Sequence, residues 1–203
     1  MTFKIVSLDS LIIYFKQEMS ESILDEVQST YLALKDISPI KDLTPSYCSI
    51  LVQFDMYIHD HESMKKVILS ALNNQKKRDH KLVHKLITIP TDYTNNLDLE
   101  RVAHHNALSI EEVVSLHTQK TYRVYAIGFM VGFAYLASVH PKISTPRLES
   151  PRQKILKGSV ALAELQTAVY PQDSAGGWNI IGQTTFDAFH TFEVGDKVQF
   201  ERI

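Results

Sequence analysis

The sequence predicts an α+β chain, with a small N-terminal α+β domain over residues 1–80 and a β-rich, closed domain over 81–203. Three observations point there. All seven glycines lie at or after Gly128, so the chain before it favours helices and ordinary turns, and the chain after it favours bulges and bends. Apolar residues recur at three- and four-residue spacing before Gly128, whereas short strand-like runs punctuated by Gly, Pro, Asp and Asn follow it. Between these regimes, Gly128-Phe129-Met130-Val131-Gly132-Phe133-Ala134-Tyr135-Leu136 alternates two glycines with three aromatics, directly after the strand-like run Tyr122–Ile127. Broad rings on a bent backbone suit the wall of a pocket; a barrel corner with its rings in the core is the competing reading.

Taken in order, Phe3–Ser7 and Leu11–Phe15 read as two strands about the turn residues Asp9 and Ser10. Ser20 or Ser22 caps a helix whose apolar positions are Ile23, Leu24, Val27, Tyr31 and Leu34. Pro39 and Pro45 delimit a connection, Cys48–Phe54 a buried strand, and Asp60–Asn73 a second helix with Met64, Val67, Ile68 and Leu72 on one side. The polar run Asn73–His80 reads as a connector. Leu86–Ile89 is a strand ended by Pro90. Two helices follow, the first opening after Asp98 and the second at Ser109, where Ser109-Ile110-Glu111-Glu112 has capping-box spacing. Ser159–Leu165, Thr167–Tyr170, Trp178–Ile181 and Lys197–Phe200 are strands of a barrel or sandwich.

Composition excludes several classes of function. A net charge of -2 gives no basic field for nucleic acid. The helix pair over Asp98–His117 resembles helix-turn-helix in outline, but its second helix would present Glu111 and Glu112 to phosphate, so no nucleic-acid partner is expected. The single Cys48 cannot form an internal disulfide and fits a reducing compartment. Met1-Thr2-Phe3-Lys4 opens no long apolar segment, and no run approaches membrane-spanning length, so a cytoplasmic protein with no membrane partner is expected.

Four constellations could carry chemistry. Pro146-Arg147 and Pro151-Arg152 repeat at a spacing of five; in a straight strand the two guanidiniums would lie ~17 Å apart on opposite faces. A bend between them would let both grip one carboxylate or phosphate. Gly177–Thr184 approaches the phosphate-loop pattern but has Gln183 in place of lysine and strand-forming residues inside, so no nucleotide site is expected there. The nine histidines lack metal-site spacing: His104 and His105 are adjacent, and neither His59 with His61 nor His80 with His84 has a carboxylate beside it in the required pattern. No metal is expected. His117 differs in preceding the Tyr122 strand, where it could lie beside the aromatic stretch.

In their order, these residues resemble the 5-oxoprolinase B-subunit family (PxpB/KipI, also called allophanate hydrolase subunit 1). The resemblance rests on His117 with Tyr122-Arg123-Val124, Gly128-Phe129, Gly132–Leu136, Pro146-Arg147, Pro151-Arg152, Gly158–Ala161, Gln166-Thr167, Tyr170-Pro171, Gly176-Gly177-Trp178, Ile181-Gly182 and Gly195–Phe200. Three departures stand out: Val131 and Ala175 occupy positions where that family usually has proline, and Glu164-Leu165 replaces smaller residues.

The resemblance implies an N-terminal α+β domain followed by a cyclophilin-like β-barrel domain. It also implies one component of a 5-oxoprolinase complex, inactive alone, whose partners are PxpC-like and PxpA-like proteins. Together these open 5-oxo-L-proline to L-glutamate in an ATP-dependent reaction. Mg-ATP would be a co-substrate of the complex, with no cofactor held by this chain. One branch of the family inhibits a sensor histidine kinase instead, which makes such a kinase the alternative partner. Residues expected to bind substrate or a neighbouring protein of the complex are His117, Phe129, Gly132, Phe133, Tyr135, Arg147, Arg152, Gln166, Tyr170 and Trp178.

Overall fold

The computed structural model describes residues 1–75, 84–94 and 96–203, so most of the charged connector, His80 included, lies outside the described residues. The chain divides into two compact units, Met1–Val83 and His84–Ile203.

The first unit is a four-stranded antiparallel sheet under two helices. Its strands are β1 (Thr2–Ser7), β2 (Ser10–Tyr14), β3 (Ile40–Ser46) and β4 (Ser49–Phe54), in the order β1-β2-β4-β3. Helix α1 (Glu21–Leu34) starts at Ser20, whose hydroxyl accepts from the Ile23 backbone N–H, and α2 (His61–Gln75) packs beside it. Leu11, Ile13, Ile50, Val52 and Phe54 alternate onto the helix-facing side and meet Ile23, Val27, Leu34, Met64 and Ile68 in one core. Two expectations change here. The Pro39–Pro45 connection contains strand β3, which tolerates Pro45 because it is an edge strand with a side that needs no donor. Cys48 sits in the β3–β4 turn, just before the strand.

The second unit is a barrel-like sheet of seven strands. These are β5 (Leu86–Thr91), β6 (Thr121–Ile127), β7 (Ala134–Ala137), β9 (Ser159–Ala163), β10 (Gln166–Val169), β12 (Asn179–Gln183) and β13 (Lys197–Arg202), ordered β12-β9-β10-β7-β6-β13-β5. The strand pair β8 (Arg152–Ile155) and β11 (Ser174–Gly176) forms a separate small sheet. The chain just beyond β5 closes the ring onto β12: Asp92 and Gln183 exchange two backbone hydrogen bonds of 2.8 Å. Gly182 makes that closure possible. A Cβ there would lie 2.8 Å from Thr91 Cγ2, and β12 carries a bulge at this point.

Pro90 does not end β5. The strand runs through it to Thr91, pairing only with β13 on one side, so the missing N–H leaves no ladder bond unmade. The short strands β7, β8 and β11 arise inside stretches that read as aromatic turn or proline loop, and their sequences are too short for a periodic signal.

Helices α3 (Leu99–His105) and α4 (Ile110–Thr118) cover one face of the sheet. Val102, Val113 and Val114 join Tyr122, Val124, Leu136, Val160, Leu162 and Phe200 in the main core. The capping box at Ser109 forms as the spacing requires, with Glu112 reaching back to the Ser109 N–H. All five residues of β9 are buried because both of its faces are covered. Val160 and Leu162 face the helices, while Ala161 and Ala163, with Ala168 from β10, face a second cluster built from Phe133, Tyr170, Trp178 and Ile180. Small alanines make room for the large rings packed on that side.

Candidate functional site

The aromatic-glycine stretch folds as a tight turn between β6 and β7. Gly132 adopts φ +82°, and a Cβ on it would lie 2.8 Å from that of Phe189, so only glycine fits without displacement. The turn sends Phe133 inward, 2% exposed, and leaves Phe129 64% exposed at the rim with φ 70°, a conformation that L side chains rarely adopt. Phe133 is the hub. Its ring centroid lies 5.4 Å from that of Phe129, 4.9 Å from Tyr135, 5.3 Å from Tyr170 and 5.8 Å from Trp178, each edge-on as ring quadrupoles favour.

These rings, with Arg147, Pro151 and the Ala175-Gly176-Gly177 turn, line an open cavity of about 220 Å³. The Arg147 guanidinium stands over the Trp178 ring at 5.6 Å. Arg147 lines the cavity and makes no hydrogen bond or ion pair among the described residues, so its donors are unclaimed there. Burial raises the pKa of the Tyr135 and Tyr170 phenols, and the Arg147 charge offsets part of that rise. Both phenols are therefore neutral donors at neutral pH. The cavity can hold a small ring against aromatic edges and a carboxylate against Arg147. None of its lining residues is a serine, cysteine, histidine or carboxylate that could attack a carbonyl or shuttle a proton.

Of the residues singled out from sequence, Phe129, Phe133, Tyr135, Arg147, Tyr170 and Trp178 come together here. The other four do not. Gly132 shapes the turn from behind, against Phe189. Gln166 is half-buried at the start of β10, paired with Ala137 and Ala163. The two arginines do not converge on one anion: Arg152 donates from Nη1 and Nη2 to the two oxygens of Asp98 at 2.9 and 2.7 Å, and Asp98 also accepts from the Ile180 N–H at 2.7 Å. The bend between the prolines exists, but a buried carboxylate from the start of α3 takes the second guanidinium.

His117 lies in the main core, fully buried. Tyr93 O–H donates to its Nδ1 at 2.7 Å, and its Nε2 meets Thr167 Oγ1 at 2.9 Å. The Thr167 hydroxyl itself donates to the Ala161 carbonyl, so it must accept from His117, which fixes the Nε2–H tautomer. Burial pulls the imidazole pKa down to about 3. This is a neutral structural histidine, remote in chemistry from the cage.

Three residues that hydrogen-bond to Pro146 or Arg152 without lining the cavity were not singled out as functional in the sequence: Asp98, Arg101 and Asn179. Asn179 alone carried a usable signal, as a polar residue inside the apolar run Trp178–Ile181, because a buried amide must find partners. Among the described residues, no group of three or more His, Cys, Asp or Glu is placed to hold a metal ion, and no helix is long and apolar enough to cross a membrane.

Comparison with known proteins supplies the lineage. The family described as carboxyltransferase domain, subdomain C and D, matches residues 1–196. A Bacillus subtilis protein named as the B subunit of 5-oxoprolinase is 34% identical over 96% of this chain and 89% of its own length. The solved structure of TTHA0988 superposes with a TM-score of 0.84 at 28% identity, covering 97% of this chain, which spans about 40% of that larger protein. The Kluyveromyces lactis urea carboxylase shares the fold, with a TM-score of 0.74 at 12% identity over 99% of this chain and 21% of its own. A carboxyltransferase-type α+β fold with a barrel-like second unit, matched over nearly its whole length, thus places this chain in the 5-oxoprolinase B-subunit family.

Proposed function

We propose that this chain is the B subunit of an ATP-dependent 5-oxoprolinase, working with PxpC-like and PxpA-like partners to open 5-oxo-L-proline to L-glutamate. The observation that carries this reading is the 34% identity over 96% of the chain to a protein of that name. The cage is compatible in size and chemistry: 5-oxoproline is a small flat lactam with one carboxylate, and the site offers aromatic edges and one unclaimed guanidinium. Opening a lactam with ATP requires its carbonyl to be activated while the ring is held still. Holding the ring and its carboxylate is the part these residues can perform. Activation and attack belong to groups outside the cage, in keeping with a chain that is inactive alone and a complex that takes Mg-ATP as co-substrate.

The test is reconstitution. Purified chain is mixed with its PxpC-like and PxpA-like partners, and glutamate release from 5-oxo-L-proline is followed with Mg-ATP. Release that requires all three proteins and ATP is the expected result. An unchanged rate when this chain is omitted overturns the reading.

A further inference from the structure

We propose that Asn179 and Arg101 are positioning residues for Arg147, setting the guanidinium over the cage through the backbone on either side of it. The inference rests on the reading that Arg147 receives the ligand's carboxylate. Arg147 has no polar anchor of its own among the described residues; what touches it is the Trp178 ring. A flexible side chain so placed takes its position from its main chain.

That main chain is fixed at both neighbours by one tripeptide. Leu148 N–H donates to the Gly177 carbonyl at 2.8 Å, and the Pro146 carbonyl accepts from Asn179 Nδ2 at 3.0 Å. Trp178, the residue between those two anchors, supplies the ring under Arg147. Pro146-Arg147-Leu148 is thus fastened to Gly177-Trp178-Asn179 by two hydrogen bonds flanking one cation–π contact.

Asn179 is fully buried and every part of its amide is used. Nδ2 also donates to the Leu162 carbonyl at 3.0 Å, tying the loop to β9, and Oδ1 accepts from Arg101 Nη1. Arg101 lies on α3 and donates further to the Pro146 carbonyl at 3.4 Å. Two donors and one acceptor are needed at this point, which an amide provides and a carboxylate does not.

Two variants test the inference, Asn179→Asp and, in case a buried carboxylate prevents folding, the half-buried Arg101→Met. The first readout needs no ligand: the Arg147 side-chain Nε–H resonance, assigned by its loss in Arg147→Lys. Stacking over indole shifts it upfield in the wild type, and both variants are expected to return it toward the free-arginine position. The second is a titration with 5-oxo-L-proline followed by fluorescence of Trp178, the only tryptophan in the chain. Asn179→Asp is expected to weaken Kd about tenfold, the scale of one charge-assisted hydrogen bond, and to add nothing in an Arg147→Met background.

An unmoved Arg147 resonance in folded variants overturns the positioning role. So does an equal loss of affinity with and without Arg147, which would mark Asn179 as merely structural. A wild type that shows the stacked resonance but no response to 5-oxo-L-proline would count against the substrate reading alone.

Discussion

Asp98 grips Arg152 through two parallel hydrogen bonds, Nη1 to Oδ2 at 2.9 Å and Nη2 to Oδ1 at 2.7 Å, so the second of two similar Pro-Arg pairs braces the barrel while the first faces the cage. The Asp98 side chain is 5% exposed, and its other partner is the Ile180 N–H. The pair therefore joins the start of α3 to β8 and β12.

The two arginines should consequently differ in kind. Arg152→Met strands a buried carboxylate and should cost about 3 kcal/mol, a fall in Tm of about 6–12 °C for a chain of this size. Arg147→Met removes no ion pair and should leave Tm within about 2 °C. Thermal unfolding of both variants checks this, and equal Tm values would mean that Asp98 does not depend on Arg152.

The buried histidine makes stability depend on acid. The folded pKa of His117 is depressed to about 3, below the ordinary value of about 6.5, so the unfolded chain takes up a proton that the native chain refuses. The stabilisation is fully present above pH ~6.5 and is lost as pH falls through the window down to about 3, at about 1.4 kcal/mol per pH unit. His117→Gln should flatten that dependence across the window, as measured by urea unfolding at several pH values. An identical acid slope in the variant would contradict the assignment.

Phe129 offers the opposite trade. Its φ of 70° disfavours any L side chain by about 1–2 kcal/mol, and its ring is largely exposed. Phe129→Gly should therefore keep or raise Tm while weakening ligand binding, because the cage loses one wall. A fall in Tm of more than about 2 °C would show the Phe129–Phe133 contact to outweigh the strain.

A similar relief is available at Glu164, which takes φ 51° in the two-residue turn between β9 and β10. The backbone there donates to the Thr145 carbonyl at 2.7 Å, a bond that glycine keeps. Glu164→Gly should stabilise by about 0.5–1 kcal/mol, read as a rise in Tm. No rise would mean that the glutamate side chain holds the turn by a contact of its own.

Much of this was legible because it is local. Helical spacing located α1 and α2, the capping-box pattern at Ser109 located α4, and the density of rings around Gly128 and Gly132 fell on residues that line the cavity, whereas the glycine divide at Gly128 falls inside the second unit and not at the boundary between the two. The roles of the polar residues were not legible, because each is decided across long stretches of chain. Asp98 and Arg152 lie 54 residues apart, His117 and Thr167 lie 50 apart, and Arg101 and Asn179 lie 78 apart. Spacing on a single strand or helix carries no information about such pairs. Strand β3 around Pro45 and the end of β5 beyond Ile89 were obscured for a related reason, since whether a missing N–H matters depends on which side of the strand is paired.

The most direct measurement is the KM for 5-oxo-L-proline of the reconstituted complex carrying Arg147→Met. If Arg147 holds the carboxylate of the lactam, that KM rises about tenfold or more, the KM for ATP stays unchanged, and Tm matches the wild type. A KM for 5-oxo-L-proline equal to that of the wild-type complex would contradict the assignment of this cage as the substrate site.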